Sequence, residues 1–142
     1  MTFSKKQALS AKRNRERKTG IEKYYTNGEI VDTCLALAKP FISKNHILIE
    51  PCAGDGSFLD GIKRSGIKNK VIAYDIEPGR KDIKQENALQ HNFKQDGNSL
   101  FAITNPPFGR ANSLSVKFFN HLSLSCDYIA FLVPKSWRKW SI

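Results

Sequence analysis

Four short apolar runs recur along the chain: ILIE (47–50), VIAYD inside KVIAYDIEPG (70–79), SLFAIT (99–104) and YIAFLVP (128–134). Each is too short for a helix and is bounded by Gly, Pro or polar clusters, so each predicts a buried β-strand. The segments between them follow a period nearer 3.6. From Thr26, with Glu29 at capping-box spacing, Ile30, Val31, Cys34, Leu35 and Leu37 share a face until Pro40 stops the pattern, which predicts a helix starting at Thr26. PCAGDGSFLDGIKRSG (51–66) predicts a turn of small residues, then a helix with Phe58, Leu59 and Ile62 inward. SLSVKFFNHLSLS (113–125) predicts a helix with Leu114, Phe118 and Leu122 on one stripe. For KDIKQENALQ (81–90), a short edge strand and a loop read equally well. Strands alternating with helices imply a doubly wound, mostly parallel α/β sheet of Rossmann-like type, whose ligand lies at the carboxyl ends of its strands. Glu50, Asp75 and Asn105 all fall at such ends.

That placement gives the polar residues a chemistry. Gly54 and Gly56 let backbone approach a ligand where a side chain would block it. Asp75, about twenty residues after the glycine turn, stands where an acid can take both hydroxyls of a ribose. The helix start at Thr26 offers free amides and a positive dipole end, able to receive a carboxylate. ITNPPFG (103–109) cannot be a strand interior, because Pro106 and Pro107 fix φ and restrict their predecessors. It is a stiff stretch with free acceptors, suited to holding one polar group still.

Charge adds a partner. The 142 residues carry 23 Lys and Arg against 13 Asp and Glu, a net charge of +10 that favours a polyanion, nucleic acid before membrane. Much of it lies in residues 1–22, which read as a basic arm: Lys5, Lys6, Lys12, Arg13, Arg15, Arg17 and Lys18, with Lys23 just beyond. Such an arm could order on a phosphate backbone or stay a solvated tail. Cys34, Cys52 and Cys126 show neither disulfide nor zinc spacing, so no metal is expected and reduced thiols in a cytoplasm fit best. His46, His91 and His121 read as isolated surface or loop residues. No apolar stretch approaches membrane-spanning length, and no signal-peptide core follows the N-terminal charges.

LIEPCAGDGSFLD, AYDIEP and ITNPPFG, preceded by YYTNGEIVDTCLALA, together resemble the gamma-class S-adenosylmethionine-dependent DNA adenine-N6 methyltransferases, over roughly residues 24–140. The resemblance implies S-adenosylmethionine as cofactor and a catalytic domain over 23–142. It implies Tyr25 and Thr26 at the methionine end, and Glu50, Pro51, Cys52, Ala53, Gly54 and Gly56 as the turn beneath it. Asp75 would hold the ribose, Ile76 would lie against the adenine ring, and Asn87 would read its amino group. Asn105 would border both cofactor and substrate. Where the family often has Gly, this chain has Cys52 and Ala53, small residues that serve the same purpose.

The reaction implied is methyl transfer to the exocyclic amine of adenine in DNA. That amine is a poor nucleophile, so the Asn105 side-chain oxygen and the Pro106 carbonyl would each accept one of its hydrogens while Phe108 stacks on an extruded base. Pro107 would keep both acceptors rigid. The family's sheet normally continues past YIAFLVP with two more strands, so the sequence reads as C-terminally incomplete, with a second chain as one source of those strands. In KSWRKW, Lys135, Trp137, Arg138, Lys139 and Trp140 read either as nucleic-acid contacts or as the start of a surface helix. RNA adenine methylation, protein glutamine methylation and a non-catalytic binding remnant remain as alternatives.

Overall fold

The computed structural model describes residues 26–140, without the side chains of Lys139 and Trp140. The basic arm and Tyr25 lie outside the described residues. The elements are α1 (Gly28–Ala38), β1 (Ile47–Glu50), α2 (Ser57–Arg64), β2 (Val71–Asp75), β3 (Lys84–Gln85), β4 (Leu100–Thr104), α3 (Ser113–Ser123) and β5 (Tyr128–Phe131), with single 3₁₀ turns between several of them. The strands form one sheet in the order β3-β2-β1-β4-β5, every pair parallel. Parallel neighbours need crossovers, which α2 and α3 supply.

The two-residue period of the strands splits the core between the two faces of this sheet. Leu48, Phe101 and Ile103 pack with Val31, Leu35, Phe58 and Ile62 of α1 and α2. Ile49, Ile72, Tyr74, Leu100 and Ala102 pack with Phe93, Phe118 and Leu122 on the α3 side. Every residue of β4 is buried, as expected of a strand covered on both faces. Gly61 sets the approach of α1 to α2, since a Cβ there would collide with Val31 and lie 2.9 Å from Leu35 Cδ1.

Several expectations need correction. Asn27, not Thr26, caps α1, its Oδ1 accepting the Glu29 amide at 2.7 Å. The buried stripe of that helix is Val31, Leu35 and Ala38, whereas Ile30 and Leu37 are exposed, because the period of 3.6 carries them past the sheet. The segment 81–90 resolves into the two-residue edge strand β3 followed by a 3₁₀ turn over Ala88–Gln90. β5 stops at Phe131 and is not a buried interior strand, Tyr128 being 46% exposed.

The histidines are not isolated. His46 is buried, accepts the Ser43 amide at Nδ1 and lies 3.4 Å from Asp127. His91 lies between Glu86 at 2.6 Å and Asp96 at 3.0 Å, and its backbone oxygen is 2.7 Å from His121 Nε2. Residues 135–140 form a 3₁₀ turn, within which Trp137 packs beside Phe119 and Phe131.

Candidate functional site

The carboxyl ends of β1, β2 and β4 open on one cavity of about 350 Å³, within the range of small-molecule sites. Glu50, Pro51, Cys52, Ala53 and Gly54 line it after β1, and Asp75 and Ile76 after β2. Asn87 lines it from the segment behind β3, and Asn105, Pro106 and Pro107 from the end of β4. Thr26 joins them from ahead of α1. Of the residues singled out in the sequence, Gly56 and Phe108 lie outside the lining.

Local hydrogen bonds explain why the wall holds its shape. Asp75 accepts the Gly54 amide at 2.8 Å through one oxygen and the Glu77 amide at 2.7 Å through the other, fastening the glycine turn to β2. Gly54 has φ 56°, and a Cβ on it would meet no protein atom within 4 Å. A larger side chain there would be strained and would project into open space. Gly56 has φ 87° and serves a different purpose, because a Cβ would strike the Arg80 side chain. Arg80 bonds Asp60 at 2.6 Å and Asp82 at 2.7 Å, and Gly79 donates to the Gly54 carbonyl at 3.0 Å. This latch over the turn escaped the sequence reading; the Pro78–Gly79 turn was its one local signal.

Behind the opposite wall, Asn87 Oδ1 accepts the Leu89 amide at 3.0 Å, opening the 3₁₀ turn. Glu86 also lines the cavity and was missed in the sequence, where a lone acid beside Asn87 looks like surface. His91 holds it at 2.6 Å, and Asp96, held in turn by Tyr74 at 2.8 Å, bonds the other ring nitrogen. Burial opposes a charge on His91, yet the two carboxylates outweigh it and raise its pKa above the usual imidazole value.

The box at 105–108 is clamped at both ends. On one side the Leu132 amide donates to the Thr104 carbonyl at 3.0 Å, and on the other the Phe108 carbonyl accepts the Leu114 amide at 3.1 Å and the Ser115 amide at 3.4 Å, in the first turn of α3. Asn105 Nδ2 donates to Thr26 Oγ1 at 2.9 Å, a bond between residues 79 apart in sequence. The Asn105 side-chain oxygen is buried and has no hydrogen-bond partner. A buried acceptor left unmet costs about 1–3 kcal/mol, so this one marks a place where a donor is due.

Glu50, also in the cavity lining, is only 1% exposed and accepts the Cys52 amide at 2.9 Å. Burial pushes its carboxyl up to about 8, with the Asp75 charge adding to that effect and the Thr104 hydroxyl and Cys52 amide opposing it. The Thr104 hydroxyl, though near enough to ease the charge, makes no bond of full hydrogen-bonding geometry. Burial likewise raises the Cys52 thiol well above its usual range, which makes it a poor nucleophile.

Strand order, parallel pairing and a cavity at the strand ends define a Rossmann-like α/β fold. The fold is similar to that in the crystal structure of a modification subunit of a putative type I restriction enzyme from Vibrio vulnificus, with a TM-score of 0.53 at 15% identity. The match covers 88% of this chain, which spans only 37% of that one. No protein-family model matches the sequence, and no curated protein does. Among the described residues, no helix is long and apolar enough to cross a membrane.

Proposed function

We propose that the chain is an S-adenosylmethionine-dependent methyltransferase acting on the exocyclic N6 amine of adenine in DNA. One observation carries this reading: the buried, unpartnered side-chain oxygen of Asn105, aligned by Thr26 through the amide's other arm, on a residue that lines a cavity of about 350 Å³. The resemblance of the NPPF box and the glycine turn supports it, as does the similarity in fold to a restriction-enzyme modification subunit.

The cavity fits the cofactor on its own chemistry. It offers an acid at the end of β2 for ribose hydroxyls, Ile76 as an apolar surface for adenine, and acidic side chains with no basic one to meet a cation. Thr26, Glu50, Pro51, Cys52, Ala53, Gly54, Asp75, Ile76 and Asn87 would hold it. When bound, that cofactor supplies an electrophilic methyl group on a positively charged sulfur. Asn105 Oδ1 accepts a hydrogen bond from one amine N–H and the Pro106 carbonyl from the other, favouring the pyramidal nitrogen found near the transition state. Thr26 keeps the Asn105 amide from rotating, and Pro107 limits relaxation of the backbone. Phe108 stacks on the extruded base. Residues 23–142 form the catalytic domain, while the arm of residues 1–22 adds phosphate contacts.

Methyl transfer from labelled S-adenosylmethionine, measured on DNA, RNA and protein substrates, tests this function. Adenine-containing DNA should be labelled, and Asn105→Ala should lower the single-turnover rate by roughly 100-fold or more with little change in cofactor affinity. A parental rate in Asn105→Ala would refute the assigned role. Labelling of RNA or of glutamine in protein, with DNA untouched, would move the substrate.

A further inference from the structure

The cavity's charge is opposite to that of the chain. Its lining holds Glu50, Asp55, Asp75 and Glu86 and no Lys, Arg or His, in a protein of net charge +10. All four acids accept local hydrogen bonds. Asp55 accepts from the Ser57 amide and hydroxyl, Asp75 from the Gly54 and Glu77 amides, and Glu86 pairs with His91. Glu50 differs in being 1% exposed, with a backbone amide as its hydrogen-bond donor and no cation in the lining around it. The groups facing it are the Asp75 carboxylate from β2, the Cys52 thiol from the turn and the Thr104 hydroxyl from β4, none of them a source of positive charge. An ionised carboxylate in such surroundings is costly, and burial accordingly favours the neutral acid.

We propose that Glu50 is a proton-linked detector of positive charge, a neutral acid before ligand binds and a carboxylate once a sulfonium or ammonium group lies beside it. The carboxyl O–H bond breaks, its electron pair stays on Glu50 and the proton leaves to solvent; no covalent bond to the ligand forms. This inference rests on the cofactor reading above. It implies that apparent affinity for a cationic ligand rises by up to tenfold per pH unit below about 8 and levels off above that.

Calorimetry at pH 7 in two buffers of different ionisation enthalpy counts the protons released. The 142-residue parent and Glu50→Gln would each be titrated with S-adenosylmethionine and with S-adenosylhomocysteine, its demethylated product, whose sulfur is uncharged. With S-adenosylmethionine, the parent should release close to one proton more than the variant. An equal excess with S-adenosylhomocysteine identifies the ammonium as the trigger, and its loss there identifies the sulfonium. Binding with equal proton counts in parent and variant would overturn the inference and leave the cofactor reading standing. Failure of both ligands to bind would remove both. Should Glu50→Gln not fold, infrared spectroscopy of the parent decides: a protonated-carboxyl band must be present without ligand and lost at saturation, and a parent lacking that band overturns the inference.

Discussion

Thr26 and Asn105 act as one unit. The hydroxyl takes the amide's nitrogen side, and that choice presents its oxygen as an acceptor. Thr26→Val, nearly isosteric, should therefore lower the methyl-transfer rate by roughly 10- to 100-fold even at saturating cofactor. Thr26→Ser should recover most of the loss, and single-turnover rates for the three proteins check it. Glu50 carries a second residue-scale prediction, on stability. Its folded-state pKa, about 8, lies above its usual value near 4.5, so the contribution of the neutral acid is complete below pH 4.5 and is lost as pH rises toward 8. Without ligand, the parent should lose on the order of 3–5 kcal/mol across that window, and Glu50→Gln should flatten the profile in urea titrations at each pH. The sequence singled out both Thr26 and Asn105 but not the bond between them. Thr26 has the spacing of a helix cap, but Asn27 takes that part and frees the hydroxyl for a partner that no local pattern discloses.

Among the elements, the contact of α1 with α2 depends on Gly61. Replacing Gly by Ala inside a helix gains about 1 kcal/mol in propensity, while forcing an extra carbon against Val31 and Leu35 costs about 1–3 kcal/mol. With a Cβ that would overlap Val31, overpacking wins, so Gly61→Ala should lower stability by up to about 2 kcal/mol, seen as a lower urea midpoint at unchanged slope, with cofactor affinity unaltered. Strands β1 and β2 were legible almost to the residue, because an apolar run between turn residues has few other readings. β3 was not, since two exposed residues at a sheet edge carry no periodicity. Trp137 looked like a surface aromatic and is instead spoken for by Phe119 and Phe131, partners outside its own segment.

Across the whole molecule, charge is sorted by location. A net charge of +10 favours a polyanion, while the charged residues in the cavity lining are all acidic, so the proposed DNA backbone would be kept outside the space proposed for a cationic cofactor. Deleting residues 1–22 should weaken DNA binding and reduce its salt dependence, by up to about 6 in the slope of log K against log salt if all seven of its cations meet phosphates. Cofactor affinity should stay as it was. An unchanged slope would make the arm a solvated tail. Fold class and basic character were legible at this scale; the acidic cavity was not, because Glu50, Asp55, Asp75 and Glu86 meet only after three strands have paired. The Thr26–Asn105 bond has a comparable history. During synthesis Thr26 leaves the ribosome 79 residues before its partner, and β1 must wait for β4 to emerge before pairing with it. The acceptor proposed for the amine is thus fixed late in folding, and a nascent chain halted before β4 would hold the residues of the glycine turn but no Asn105 opposite them.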